Sequence, residues 1–183
     1  MMNALKNAVK TSVFRSWTRD EGATAAIEAG FLFPILVAIL CGMIDTGVAL
    51  VTNQKVVDSS QMIADLLTRN TSVNNADIAD AVVAAHLAIQ PYSISSYGID
   101  IMGVQYLTVA RTPTERWRTT INMTPNPDLL THSAGLGDEN DGVVAVTAHF
   151  THTPYFSFFL IGDIVMNEES FARGRKGLYV SKV

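Results

Sequence analysis

Residues 20–50 read DEGATAAIEAGFLFPILVAILCGMIDTGVAL, and the reading of this stretch decides the fold. Residues 29–44 carry no charge. With the mild TGVALV that follows Asp45, the apolar segment reaches roughly 20 residues or more. At about 1.5 Å per residue that length spans a hydrocarbon core of roughly 30 Å. A buried helix of a soluble protein has a similar composition, and a signal peptide a similar position. A signal peptide, however, has a shorter apolar region followed by a small-x-small cleavage site. Here the run leads straight into a polar stretch with helical patterning. The sequence therefore predicts a membrane-spanning helix. Pro34 lies inside it and would act as a local kink of the kind membrane helices tolerate. Glu28 lies at its front, where a carboxylate entering hydrocarbon is expensive and is by default a functional residue.

The composition fits one such helix carrying a modest outer domain. The chain has 183 residues and a net charge of -4, with a mean hydropathy of +0.22. That charge gives no reason to expect a nucleic-acid partner. The single cysteine, Cys41, lies in the apolar run, so no disulfide within the chain and no cysteine metal site is possible. Lys6, Lys10, Arg15 and Arg19 precede the segment, whereas Asp45, Lys55, Asp58 and Asp65 follow it. The excess of positive charge before the helix places the N-terminus in the cytoplasm and the C-terminal domain across the bilayer.

GATAAIEAGFLFPILVAIL resembles the N-terminal signature of TadE-like pseudopilins of the tight-adherence (Tad/Flp) type IV pilus system. A charged leader ends in Gly22; small residues, Glu28 and an apolar helix with a proline follow. MIDTGVAL, with Asp45, resembles the family's pattern near the outer end of the helix, and NQKVVDSSQMIADLLTR resembles its polar helix. The resemblance implies a type IV pilin-like α+β fold, with a leader at 1–22, a helix over 23–69 that continues out of the membrane, and an extracytoplasmic domain at 70–183. It also implies cleavage between Gly22 and Ala23 by a prepilin peptidase. The new N-terminal amine would pair with Glu28 of a neighbouring subunit, since a carboxylate in low dielectric needs a cationic partner to stay charged. Gly30, Pro34 and Asp45 would serve assembly. The implied partners are other pilin-like subunits, the peptidase, the inner-membrane assembly platform and the lipid bilayer. The sequence departs from the family in spacing: five residues separate Gly22 from Glu28, where four are typical. The extra residue turns the helix by roughly 100° and lifts it by about 1.5 Å.

Beyond the membrane segment, residues 46–69 are amphipathic, with Val48, Val51, Val56, Ile63, Leu66 and Leu67 at three- and four-residue spacings. RNTSVNN breaks this helix. Residues 76–90 predict a second, with Ile78, Val82, Ala85 and Ile89 on one face and Pro91 as its stop. SISSYGIDIMGVQYLTVA and ERWRTTINM then read as paired strands joined by a turn at RTPT. Residues 124–142 read as a long loop with a short helical turn at DLL. VVAVTAHFTHTP reads as a strand, and DIVMNEESFARGRKGLYV returns antiparallel to it. The sum is a second helix and the outer half of the first, packed on a three- or four-stranded antiparallel sheet.

Candidate sites outside the helix have plainer explanations. His149 and His152 stand three apart on a strand and so face opposite sides; with His132 they read as structural. GDENDG lacks the spacing of a calcium loop and reads as a solvated turn. ARGRKG reads as the solvated end of a strand. The aromatic run holding Tyr155, Phe156, Phe158 and Phe159 is too apolar for an ordinary turn, and it either folds into the core, docks a partner or rests on the membrane surface. No nucleophile-base pair, phosphate loop or carboxylate dyad is present, so the sequence predicts a structural protein with no catalytic residue, cofactor or metal. The predicted role is a minor pilin-like subunit in the bacterial inner membrane. An uncleaved single-span anchor for secretion machinery and a membrane-tethered ligand-binding module are the alternatives. A reporter fused after Val183 should be active only outside the cytoplasm; cytoplasmic activity would overturn the orientation read from the flanking charges.

Overall fold

The computed structural model describes residues 21–107, 110–156 and 162–183. It contains helix α1 (Glu21–Leu67), strand β1 (Ser72–Val73), helix α2 (Asn75–Ile89), strands β2 (Tyr97–Tyr106) and β3 (Pro113–Ile121), the short helix α3 (Leu129–His132), and strands β4 (Gly142–His152), β5 (Ile164–Arg173) and β6 (Ser181–Lys182). The chain forms two units, Met1–Ile44 and Asp45–Val183. The expected α+β architecture is present, with one long apolar N-terminal helix, a second helix and a four-stranded antiparallel sheet.

In the second unit, α1 buries Ala49, Thr52, Val56, Ser59, Ser60, Ile63, Ala64 and Leu67. This stripe differs from the expected one. Val51 is exposed and Val48 and Leu66 only half-buried, while small hydroxyl residues take the inner positions. They can be buried because their hydroxyls bond carbonyls of their own helix: Thr52 to Val48 at 2.8 Å, Ser59 to Val56 at 2.7 Å and Ser60 to Val57 at 2.8 Å. None of these three hydroxyls is left without a partner, and a small side chain lets the sheet approach closely. The hydroxyl of Tyr97 on β2 donates to Ser59 Oγ at 2.7 Å.

Helix α2 begins with a capping box. Asn74 Oδ1 accepts from the amides of Ala76 (2.7 Å) and Asp77 (3.0 Å), and Asp77 Oδ2 accepts from the Asn74 amide at 2.8 Å. Such a cap contributes about 1 kcal/mol. Its buried face is Ile78, Ala81, Val82, Ala85 and Ile89, the face that the sequence periodicity picks out. Lys55 Nζ donates to the Gln90 carbonyl at 2.7 Å and ties the end of α2 to α1.

The sheet runs β3-β2-β4-β5, so after β3 the chain crosses β2 before entering β4. Only Arg111 and Thr112 of RTPT lie in the connection. Pro113 and Thr114 begin β3 and pair with Tyr106 and Gln105. Proline fits there because it is the first residue of an edge strand, where its missing N–H costs no ladder bond. The first strand also starts later than its β-forming residues suggest: Ile94–Ser96 is a 3-10 turn, with the Ser93 side chain accepting from the Ser95 amide. LYV does not extend β5, which ends at Arg173; beyond it, β6 pairs parallel with β1.

The inner face of the sheet carries Ile99, Ile101, Val144, Val146, Ala148, Phe150 and Met166, packed with the helices. The Trp117 indole packs against Gly103, where an added Cβ would collide with it, and Trp117 Nε1 donates to the Val180 carbonyl at 2.9 Å. The outer face is divided. One end is apolar, with Met102, Val104, Tyr106, Val143 and Ala145 under Leu129 of α3. The other end is polar and is described below.

Burial pushes the Tyr97 hydroxyl up to about 12 from its ordinary value of 10.0, against a smaller opposite effect of the Ser59 hydrogen bond. The folded state therefore keeps this proton at pH values where the unfolded chain has lost it. The contribution to stability is complete below about pH 10 and is lost as pH rises towards 12. Between those values the wild type should lose on the order of 2–3 kcal/mol more stability than Tyr97→Phe in denaturant unfolding. Parallel losses in the two proteins would contradict this.

Candidate functional site

Three features are candidates for function: the apolar half of α1, the carboxylate of Asp45 and the polar end of the outer sheet face. The first is a hydrophobic helix without a polar side. Its most apolar window has a mean hydropathy of 2.3 and is 6% buried. Phe31, Leu32, Phe33, Leu36, Ile39 and Leu40 are all exposed. A helix apolar all round belongs inside a larger core or in lipid, and its exposure here makes it a membrane anchor. Gly22 and Ala23 lie in its first turn, and Glu28 is exposed one turn further on. A Cβ at Gly30 would meet nothing within 4 Å. Pro34 is inside the helix, and because it has no N–H it cannot donate the helical hydrogen bond to the Gly30 carbonyl, four residues earlier.

Asp45 is 3% exposed. Its carboxylate accepts from the amides of Tyr155 (2.9 Å to Oδ1) and Phe156 (3.0 Å to Oδ2, 3.3 Å to Oδ1). The acid expected to serve assembly thus pins the aromatic turn after β4 to helix α1. Tyr155 extends outward, 70% exposed, while Phe156 is half-buried. Phe158 and Phe159 lie outside the described residues.

The polar end of the outer face was not picked out from sequence. Register places Thr120, Asp100, Thr147 and Glu169 side by side across the four strands. Asp100 is fully buried and takes Arg118 in a two-point pair, Nε to Oδ1 at 2.9 Å and Nη2 to Oδ2 at 2.5 Å. This pairing holds the Arg118 guanidinium above its ordinary range, chiefly through the hydrogen bond to Asp100. Asp100 Oδ2 also accepts from the Asn126 amide at 2.9 Å, and Arg118 Nη2 donates to the Asn126 carbonyl at 2.6 Å. The ion pair therefore fastens the loop after β3 over the sheet. Asn126 Nδ2 then reaches Glu169 Oε1 (2.6 Å) and Thr147 Oγ1 (3.1 Å). Between loop and sheet lies a cleft of about 520 Å³.

The histidines separate as the strand geometry requires. His149 lines the cleft, with Nδ1 2.6 Å from Asn167 Oδ1. His152 is buried against the edge of the Tyr92 ring. His132 Nδ1 sits 2.8 Å from Glu169 Oε2, also in the cleft. Among the described residues, no three His, Cys, Asp or Glu side chains converge as a metal would need. In GDENDG, Asp138 pairs with Arg111 at 3.1 Å and Asp141 with Arg173 at 3.5 Å. In ARGRKG, Arg175 pairs with Asp65, whose carboxyl is held below the usual range, first by the Arg69 hydrogen bond.

The family model of TadE-like proteins matches residues 23–65. The match begins at the residue after Gly22 and takes in the whole apolar run and most of α1. This segment of the chain is TadE-like. No curated protein and no solved structure matches the chain.

Asp45→Ala should free the amides of Tyr155 and Phe156. These amides are part-buried, so leaving them without the carboxylate costs at most about 1–3 kcal/mol. Hydrogen exchange should quicken at those two amides and stay slow in β2 and β4; unchanged exchange at Tyr155 and Phe156 would show that the carboxylate does not hold the turn.

Proposed function

We propose that the protein is a minor, pilin-like component of a Tad/Flp pilus, anchored in the inner membrane by α1 and acting in pilus assembly or initiation. The observation that carries this reading is the TadE-like match over residues 23–65, which coincides with the exposed apolar helix. The unit Asp45–Val183 has its own two-sided core, more than a bulk fibre subunit made of little beyond one helix would need. In this reading the peptidase cuts after Gly22, because only glycine lets it close on the backbone there. The domain of residues 45–183 faces the periplasm. Glu28 pairs with the amine of a neighbouring subunit, and Gly30, which has open space around it, leaves room for that neighbour's backbone. Other pilin-like helices and the inner-membrane assembly platform are the partners, and the exposed ring of Tyr155 docks at the membrane surface or on a partner.

Glu28→Gln separates charge from shape. Membrane insertion, cleavage and folding of the outer unit should remain normal, while recruitment into the pilus machinery drops, with a loss on the order of 3–5 kcal/mol where the pair is fully buried. Gly22→Val should block maturation. Intact mass of the protein from its native membrane reads the second, and piliation with co-purification of partner subunits reads the first. A wild-type protein that keeps residues 1–22 beside an active peptidase, or a Glu28→Gln strain with wild-type piliation, would contradict the proposal.

A further inference from the structure

A sheet covered by helices on one side ordinarily turns plain solvated polar residues outward on the other. The outer face here does something different at its polar end. It spends a fully buried carboxylate, Asp100, on holding a loop above itself. A buried ion pair is a poor source of stability compared with apolar packing, and the apolar end of this same face shows that such packing was open to the fold. What the pair does create is a concavity with a fixed wall. Pro125 and Pro127 flank Asn126 and stiffen that wall. The cleft, about 520 Å³, has the size of a small-molecule site.

Its hydrogen-bonding character follows from the partners already made. Glu169 and the Asn167 side-chain oxygen can only accept, so Nδ1 of His132 and Nδ1 of His149 are the donors in their contacts. In each neutral ring Nε2 is then an acceptor, and neither Nε2 has a partner among the described residues. Asn167 Nδ2 remains as a donor. The lining includes Asp128 and Glu169 but no lysine or arginine, and nearby Arg118 is committed to Asp100 and the Asn126 carbonyl. Met123, Pro125 and Pro127 add C–H surface. An anionic ligand is disfavoured, and a ligand rich in hydroxyl donors with an apolar face fits. We propose that this cleft is a binding site for a neutral saccharide, with His149, Asn167 and His132 contacting its hydroxyls. The site makes no use of α1 or of the pilus reading.

The test is titration calorimetry with saturation-transfer NMR on the full chain in phospholipid nanodiscs, free of sugar-based detergent. The probes are N,N′,N″-triacetylchitotriose, maltotriose and mannotriose, with trigalacturonate and spermidine as charged controls. At least one neutral trisaccharide should bind with a Kd of about 1 mM or below. His149→Ala and Asn167→Ala should each weaken it tenfold or more, while Val83→Ala, exposed on α2 and outside the cleft, leaves it unchanged. Asn167 is exposed, so its truncation reads binding without threatening the fold. The proposal is overturned by no binding of the three neutral sugars at about 10 mM, by binding that ignores both variants, or by tighter binding of trigalacturonate or spermidine.

Discussion

The side chains of α1 over residues 29–44 are apolar in every direction and almost all exposed, with Phe31 at 76%. Each Å² of such surface left in water forgoes about 25 cal/mol, and no amphipathic stripe offers a side on which to bury it. A bilayer removes the penalty, and a helix is the one single-segment structure whose backbone groups satisfy each other there. The remaining features follow from that constraint. Glu28 and Asp45, the acids at either end of the uncharged run, must each have a reason to be where they are.

Asp45 has its reason within the chain: it closes on the amides of the aromatic turn that follows β4. From there on, α1 changes character. Its inner positions are small and hydroxylated, and each buried hydroxyl is returned to its own helix, so the helix can be polar in composition yet dry in its packing. The sheet answers with Tyr97 and with the Gly103–Trp117 contact, where the indole fills the space that a side chain on β2 would occupy. Packing on one face thus fixes the register that sets the polar row on the other.

Much of this was legible in the sequence. The uncharged run at 29–44, the inner face of α2 and the β-forming VVAVTAHF each repeat a local signal over enough residues to be unambiguous. The buried stripe of α1 was misread because hydrophobic periodicity weighs Val51 above Ser59, whereas burial depended on size and on hydroxyls satisfied within the helix. The turn at RTPT was placed two residues too far along, because the pattern of the strand starts at ERWRTTINM while Pro113 suits the first position of an edge strand. The cleft was invisible for a deeper reason. Asp100 sits at an alternating position that a solvated outer face would also fill, and its burial is imposed by Asn126, brought back across β2 from the far end of β3. The trace it left was an acid on one predicted strand and an arginine on the next, which nothing local ranks above ordinary surface charge.

The central claim is that α1 meets lipid through residues 29–44 and water beyond Asp45. A nitroxide scan along the exposed side of α1 in native-like bilayers tests it directly, comparing relaxation by oxygen with relaxation by a water-soluble nickel chelate. The account predicts oxygen-dominated relaxation at Phe31, Leu36 and Leu40, and chelate-dominated relaxation at Asp58 and Met62, which are exposed on the helix of the outer unit. Ready access of the chelate to Phe31, Leu36 and Leu40 would contradict it.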